Sequence, residues 1–477
     1  MSREDIVDLY DLAYVENLPD EEREILTDLI DLWDAKLSRN QLRVQYYECK
    51  NKLKDLGIAI PPPLKNVETV VGWAAAAVDV LAARSKFDSF TYSGEENEQL
   101  SKIFGMNRFK LMYHQAVTSE LIHSCSFITV SKGGRHEPEI VLNAYSALNA
   151  AAMWDDRGQR IKYGMTVVEI KRKPHETPQP TWVNLYTDEA VWEIRRDDGG
   201  TWHAECAPHN MERPLMEALV YSPTLDRPFG KSRISRAVMS TVDSAVRTAL
   251  RSEVTSEFFT APQKYLLGAD DSVFESMSKW EAYIGNIIAF SENGETGEKP
   301  TFGQLSQGSM QPHSDYMRTL AAKFSGETHI PISELGVIHD NPSSADSIYA
   351  QKEPLIIDAE WLNETNGAAL KSIAQMILAY TRDTSYWDVA DEAYYINPRF
   401  KNPAMPSIAS SADGMCKIVG AIEKVGTSDV ALEYVGFDNE EIQRINRDNA
   451  KAKAQQALQA AMQSTQEAKP TQTQLEP

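Results

Sequence analysis

The spacing of hydrophobic residues divides the chain into a helical first part, a strand-rich middle and a helical second half. Apolar residues recur at about helical spacing over residues 3–56 and again over residues 67–123, where helices are predicted around Trp73, at 95–104 and at 107–122. After His123 the period shortens, and runs of β-branched and aromatic residues alternate with turn signals such as Gly133-Gly134. This pattern predicts a mostly antiparallel β unit with strands at 127–130, 161–170, 182–186, 191–195 and 202–206.

Two long helices separated by a small insert are predicted next. The first, over 233–259, gathers its apolar residues on one side. Its other side carries a basic stripe, formed by Arg233, Arg236, Arg247 and Arg251. Residues 263–309 predict a compact αβ insert that begins with a strand at 263–267, and the second helix begins near Pro312. We expect an antiparallel helix pair with the insert at its far end.

A turn-rich, apolar loop follows and leads into one long helix over 348–380. The turn pair Asn341-Pro342 precedes serines that can cap that helix. Because apolar loop tips normally contact something, this loop is a candidate site. Its candidate residues are Leu335, Gly336, Val337, Ile338, His339, Asp340, Asn341, Ser343 and Ser344. Pro354 lies inside the helix and predicts a kink near Ala350, since the proline ring clashes with the carbonyl four residues earlier.

The last part of the chain is predicted to be mainly helical. A short strand at 394–396 and a proline-rich turn precede three helices at 412–424, 429–434 and 438–462. The Gln- and Thr-rich end, 463–477, has little to bury, and we expect disorder there. The predicted fold class is therefore α+β, mainly helical, with the long kinked helix as its backbone.

Length and composition are those of a soluble chain of 477 residues, enough for two to four domains. The four cysteines are too scattered for a disulfide framework or a CxxC metal site, which fits a reducing compartment. The acidic start is unlike a signal peptide, and the most apolar run, 67–83, is too short to span a bilayer. We expect neither export nor a membrane span.

The formal net charge of −21 is unevenly distributed. The first 34 residues hold twelve acidic and two basic side chains, a net charge of −10. Tight nucleic-acid binding usually needs a basic surface that releases counterions, and this chain has the opposite sign. If the chain meets DNA, we expect it to hold the DNA weakly.

Motifs that would support catalysis are missing. Gly230-Lys231-Ser232 is not a phosphate-binding loop, because Leu225 stands where the first glycine would be. A metal site at His203, Cys206 and His209 is conceivable, but three donors at the end of one strand are usually incidental. The pairs Asp155-Asp156, Asp197-Asp198 and Asp270-Asp271 lie in turns, where Asp bonds its own backbone. We therefore expect no enzyme, cofactor or metal.

The order of the elements resembles that of the portal proteins of tailed bacteriophages. The residues that carry the resemblance are PFGKSRI before the first long helix, IPISELGVIHDNPSSADSI before the second, and SADGMCKIVGAIEKVGTSDVALEYVGFDNEEIQRI near the end. The resemblance covers roughly residues 10–460 and rests on element order and loose motifs. The very acidic N-terminal helix departs from the family pattern, so the outer edge of the wing is less well defined.

The resemblance implies a closed ring, usually of twelve subunits, at one capsid vertex. Double-stranded DNA would pass through the ring during packaging and ejection, without sequence-specific or tight contacts. The implied partners are the major capsid protein and scaffold, the large terminase subunit and a neck or adaptor protein. The implied locations are the virion and, during assembly, the host cytoplasm.

The resemblance also implies a regional organisation. Its regions are acidic N-terminal helices of the outer wing (1–60), a wing with the β unit (61–228), stem helix 1 (229–261), the clip (262–310), stem helix 2 (311–330), the tunnel loop (331–347), the long kinked helix (348–382), a return to the wing (383–411), crown helices (412–462) and a disordered tail (463–477). Within this scheme the candidate loop at 335–344 is the tunnel loop.

Two interpretations of the basic stripe remain open: its arginines pair with acids of a neighbouring subunit, or some of them face the DNA channel. Two other functions compete with a portal ring. One is a minor head or adaptor protein without a channel, and the other is a metal-dependent hydrolase or nuclease built from scattered acids.

Overall fold

A computed structural model of the chain describes residues 9, 12, 14–51, 69–93, 95–172, 178–260, 264–267, 301–304, 309–336, 345–404, 408–437 and 439–467. The described helices are α1 (Asp20–Tyr47), α2 (Trp73–Ala82), α3 (Glu98–Met106), α4 (Phe109–His123), α5 (Arg236–Thr260), α6 (Gln311–Thr328), α7 (Ala345–Arg382), α8 (Ala390–Tyr394), α9 (Ile408–Ala421), α10 (Asp429–Val435) and α11 (Asn439–Glu467). Short 3-10 turns lie at Ile332–Leu335 and Glu423–Thr427.

The described strands form four separate sheets. The strands are β1 (Val15–Glu16), β2 (Phe87–Tyr92), β3 (Glu95–Glu96), β4 (Cys125–Lys132), β5 (Ile140–Ser146), β6 (Ala150–Asp155), β7 (Arg160–Lys171), β8 (Gln179–Tyr186), β9 (Ala190–Arg196), β10 (Trp202–Pro208), β11 (Met216–Val220), β12 (Lys264–Leu267), β13 (Thr301–Gln304) and β14 (Ile396–Phe400). The mixed, mainly helical α+β class predicted from the sequence is confirmed.

The predicted antiparallel β unit is confirmed, and all five of its predicted strands are present. Its largest sheet has the order β1-β10-β9-β8-β7-β6, in which only β1 is parallel to its neighbour. A second sheet has the strand order β11-β4-β5. Strands β5, β6 and β11 were not predicted, and they extend the unit to a continuous block between α4 and α5.

The helix predicted over 3–56 is present as α1 from Asp20 to Tyr47, and residues 3–8 and 52–56 lie outside the described part of the chain. It begins only at Asp20, because Val15 pairs with Trp202 and the N-terminal segment therefore adds a strand to the large sheet. Acidic side chains fill the first turn of α1, where the helix dipole favours negative charge. The apolar side of α1 then packs under the large sheet, and the Trp33 indole Nε1 donates to the Leu148 carbonyl at 2.8 Å.

The helices predicted around Trp73, at 95–104 and at 107–122 are confirmed as α2, α3 and α4, but the strand between α2 and α3 was not predicted. Residues 87–92 form β2, which pairs with β14 on one side and β3 on the other. The aromatic side chains explain why this segment is a strand and not a helix, because Phe87 and Phe90 lie in a buried cluster with Phe104 and Phe109. Burying such rings against a sheet outweighs the weak local preference for helix.

The main core lies around α7. Helices α2, α4, α5 and α6 and strand β4 all contribute buried apolar residues to this core. Leu370, Ile373 and Ile377 in the second half of α7 are fully buried. The helix predicted at 348–380 is confirmed as part of α7, which runs through Pro354 as one helix. The kink that this proline predicts stays a prediction.

Helices α5 and α6 form the predicted antiparallel pair. The side chain of Arg233, just before α5, bonds the carbonyl of Thr328 at the end of α6. At the other end the Thr255 hydroxyl lies 3.3 Å from the His313 imidazole. Beyond that end, β12 and β13 pair antiparallel, and the residues between those two strands lie outside the described part of the chain.

The C-terminal part differs from prediction at two points. Residues 390–394 form α8, and the strand predicted at 394–396 begins at Ile396 as β14. The three helices predicted after the proline-rich turn are present as α9, α10 and α11. Helix α11 continues to Glu467, so the tail predicted to be disordered from residue 463 is helical at its start, and residues 468–477 lie outside the described part.

Candidate functional site

The candidate site is a junction where the start of α5, the end of α6 and the first turns of α7 meet. Arg233 lies at its centre, with 4% of its side chain exposed. Its guanidinium donates to the Ala77 carbonyl at 2.6 Å, the Tyr221 hydroxyl at 2.7 Å and the Thr328 carbonyl at 2.5 Å. Its Nη1 also lies 3.2 Å from the Asp358 carboxylate. One buried cation therefore ties four separate segments together.

The local sequence positions Arg233 through a tight turn. Gly230 has a φ of +67°, and a Cβ atom there would lie 2.1 Å from the Tyr221 carbonyl oxygen, so only glycine fits. Two residues later the Ser232 hydroxyl donates to the Ile122 carbonyl at 2.6 Å and accepts from the Ile234 amide at 3.0 Å. The GKS sequence thus serves as a turn before a helix, as predicted.

Arg233 does not belong to the basic stripe, which corrects the sequence interpretation. Helix α5 begins at Arg236, so Arg233 lies before the helix and points into the core. Arg236 and Arg251 are exposed and Arg247 is half-buried, and a step of about 100° per residue places these three on one side of α5. The stripe in this chain therefore consists of Arg236, Arg247 and Arg251.

The near end of the candidate loop is anchored. On the near side Ile330 and Leu335 are buried, and Gly336 has a φ of +75°, a conformation that favours glycine. An ion pair of 3.3 Å between Glu334 and Lys352 connects the loop's near side to α7. The remaining candidate residues, Val337, Ile338, His339, Asp340, Asn341, Ser343 and Ser344, lie outside the described residues.

His329 adds a second contact to the junction. It ends α6 in a left-handed conformation with a φ of 57°, and its Nδ1 lies 3.0 Å from the Asp358 carboxylate. Asp358 therefore accepts from a buried arginine and faces a half-exposed histidine. The sequence contained no signal for this role of Asp358, because 125 residues separate it from Arg233.

The metal candidate is not assembled by the fold. His203 lies between Glu16 at 3.1 Å and Asp197 at 3.3 Å, whereas the His209 Nδ1 accepts from the Met211 amide. Cys206 is exposed. Within the residues that the structure describes, no three His, Cys, Asp or Glu side chains are placed to share a metal ion.

Two of the three acid pairs have the predicted turn role. Asp155 accepts from the Arg157 amide at 3.0 Å, and Asp197 accepts from the Thr201 amide at 2.8 Å. Backbone hydrogen bonds of this kind lower the pKa of both carboxyl groups. The pair Asp270-Asp271 lies outside the described residues.

Among the described helices, none has the length and hydropathy needed to cross a bilayer.

Comparison with known proteins gives one consistent family. Residues 26–455 match the model of the family described as phage portal protein, SPP1 Gp6-like. The portal protein of Mycobacterium phage D29 is 22% identical over 450 residues, which are 89% of this chain and 88% of that protein. The portal protein of Mycobacterium phage L5 is 24% identical over 420 residues, which are 84% and 83% of the two chains.

Solved structures show a weaker likeness. A chain in the neck of an empty gene transfer agent particle, computed with C6 symmetry, aligns with a TM-score of 0.43 and 13% sequence identity. The alignment covers 73% of this chain and 86% of that chain. A chain in the neck of the native particle, computed with C12 symmetry, has a TM-score of 0.41 and 12% identity over 78% of this chain and 89% of its own. TM-scores below 0.5 are too low to support a functional argument.

Proposed function

Because the chain belongs to the SPP1 Gp6-like family of phage portal proteins, we propose that it forms a closed ring at one vertex of the capsid. Double-stranded DNA would pass through the ring during packaging and ejection. The observation that carries this proposal is the family match over residues 26–455, which includes the β unit, the α5–α6 pair and α7. The chain would act as a channel and a platform, without catalysis and without a cofactor.

The ring has four protein partners under this proposal. The major capsid protein and scaffold surround it, the terminase motor docks on it during packaging, and a neck or adaptor protein replaces the motor afterwards. We assign the docking role to the clip, the insert between α5 and α6, because that insert lies at the far end of the helix pair. The assembled ring would reside in the virion after assembly in the host cytoplasm.

The charge of the chain supports weak contact with DNA. A channel must guide DNA without gripping it, and a net charge of −21 per chain repels phosphate groups. Arg236 and Arg251 are exposed, so they are free to approach either DNA or a neighbouring acid. We propose that at least one of them faces the channel, where it would steer the passing phosphates.

The loop at 335–344 has the supports that a channel element needs. Leu335 is buried, and the Glu334–Lys352 ion pair joins the two flanks of the loop. Behind the flanks, Arg233 and Asp358 connect α7 to the start of α5 and the end of α6. We propose that this loop is the collar of the channel, in contact with DNA or with the next subunit's loop.

A packaging reaction tests the proposal. Capsids assembled with and without this chain are mixed with the packaging motor, ATP and linear DNA, and nuclease-protected DNA is measured. The proposal expects protected DNA only in capsids that contain the chain. Equal protection in both preparations would rule out a portal role and favour a minor head or adaptor protein.

A further inference from the structure

A buried acid joins α4 to the middle of α7. Glu120 is fully buried, and its Oε2 accepts from the Asn366 Nδ2 at 2.9 Å. The same Nδ2 donates to the Tyr113 hydroxyl at 3.2 Å, and that hydroxyl is 2.8 Å from the Ser85 hydroxyl. Both hydrogens of the Asn366 amide are therefore used. The contact joins Glu120 of α4 to Asn366 of α7, and these two residues are 246 positions apart in the sequence.

Two buried oxygens in this contact have no donor. The Glu120 Oε1 and the Asn366 Oδ1 are both shielded from solvent and accept no hydrogen bond from any described residue. A buried acceptor without a donor destabilises the folded state, and an unpaired buried carboxylate destabilises it more. An ionised Glu120 would leave both oxygens unsatisfied, whereas a protonated Glu120 supplies one hydrogen for exactly one missing bond.

The charged groups around Glu120 do not compensate an ionised carboxylate. Tyr113 on α4 and Cys125 on β4 are its ionisable neighbours, and neither carries a positive charge. Arg43 of α1 donates instead to the His123 carbonyl, and buried His123 has a pKa lowered to about 3 and is therefore neutral. Among the described residues no cation forms an ion pair with Glu120. Burial accordingly raises the pKa of Glu120 to about 8.

We propose that Glu120 carries a proton in the folded chain and that Oε1 donates it to the Asn366 Oδ1, closing a ring of two hydrogen bonds that clamps α7 to α4. Loss of this proton opens the clamp, because the two buried acceptor oxygens are then both left without a donor. Helix α7 follows directly on the candidate loop, so the clamp fixes the helix that carries the loop. The clamp is thus a proton-dependent device beyond the channel role.

The raised pKa of Glu120 determines how the stability of the chain depends on pH. The folded chain holds the Glu120 proton more tightly than the unfolded chain, so the contribution to stability is complete at acidic pH. It is lost progressively as the pH rises from the ordinary carboxyl pKa of 4.5 to about 8, because over this range the unfolded chain releases the proton and the folded chain keeps it. The loss of stability over this range should therefore depend on this one carboxyl group.

The variant Glu120→Gln tests the clamp in the full-length chain. Glutamine keeps the shape, accepts from the Asn366 Nδ2 and donates its own amide hydrogen to Oδ1, but it does not titrate. We expect the Tm of the unaltered chain to fall more steeply than that of Glu120→Gln between about pH 5 and about pH 8, and the two curves to run parallel above that range. Parallel curves for the two proteins within that range would overturn the proposal.

Infrared spectroscopy tests the proton directly and needs no folded variant. A buried protonated carboxyl group gives a C=O stretching band that is separate from carboxylate bands, and exposed acids are ionised at pH 7. We expect this band at pH 7 in the unaltered chain and its disappearance as the pH is raised through about 8. Absence of the band at pH 7 would show an ionised Glu120 and overturn the proposal.

Discussion

The guanidinium of Arg233 and the carboxylate of Asp358 lie 3.2 Å apart, although Arg233 precedes α5 and Asp358 belongs to α7. The arginine is buried, and its other hydrogen bonds reach the middle of α2 through Ala77 and the end of α6 through Thr328. This one side chain therefore adds polar contacts among helices that also share the main core.

Replacing Arg233 should destabilise the chain strongly. Arg233→Ala leaves Asp358 and two carbonyl oxygens without their donor, and breaking a buried ion pair from one side costs about 3–5 kcal/mol. Urea unfolding of the full-length chain measures this loss. The matched control is Arg236→Ala, three residues later and exposed, which should change stability by less than about 0.5 kcal/mol. Equal losses for both variants would contradict a special role for Arg233.

Gly230 should not tolerate a side chain. In Gly230→Ala the new Cβ would lie 2.1 Å from the Tyr221 carbonyl oxygen at a φ of +67°, and backbone strain alone costs about 1–3 kcal/mol. The control is Gly326→Ala in α6, where no atom lies within 4 Å of the added Cβ. That change should stabilise the chain by about 0.5–1 kcal/mol. Comparison of the two melting temperatures gives the result, and similar shifts of the same sign would argue against this turn geometry.

The exposed arginines of α5 should affect DNA movement more than folding. In Arg236→Gln/Arg251→Gln the isolated chain should keep its melting temperature, because both side chains are exposed. Packaging should become slower, since two cations that steer phosphates are lost from an acidic channel. Nuclease-protected DNA is measured against time.

The control for this pair removes the same charge from the β unit. Arg135→Gln/Arg157→Gln changes two exposed arginines in turns of that unit. Unchanged packaging with the α5 variant, or equal slowing with the control, would place the arginines of α5 against neighbouring acids instead of DNA.

The insert between α5 and α6 should be needed for packaging but not for ring assembly. Strands β12 and β13 are paired, with Leu267 opposite Thr301, so residues 268–300 can be replaced by a turn of about two to five residues. The variant should still form rings and should package no DNA, because the motor loses its docking surface. Loss of rings while motor binding persists would contradict this division of roles.

The sequence was sufficient to predict an element where the apolar residues of a segment recur with one regular period. Helix α7 and the five predicted strands were correct because their apolar residues recur at a regular spacing over many residues. Strand β6 was missed because its sequence, AAAMWD, lacks the β-branched residues that mark strands. Its strand state comes from pairing with β7, which local sequence does not report.

The junction could not be predicted for a similar reason. Arg233 fits the helical spacing of Arg236 and Arg247, so the sequence grouped it with the exposed stripe. Its true environment depends on carbonyl groups of Ala77 and Thr328, which are remote in sequence. Long-range contacts of this kind decide whether an arginine is buried or exposed. The Glu120–Asn366 contact escaped prediction in the same way.

The central claim is that this chain assembles into a portal ring, and native mass spectrometry of the purified full-length chain, paired with negative-stain imaging, tests it most directly. The account predicts a closed ring of about twelve subunits with a central hole. A chain that remains a monomer at every concentration would contradict it.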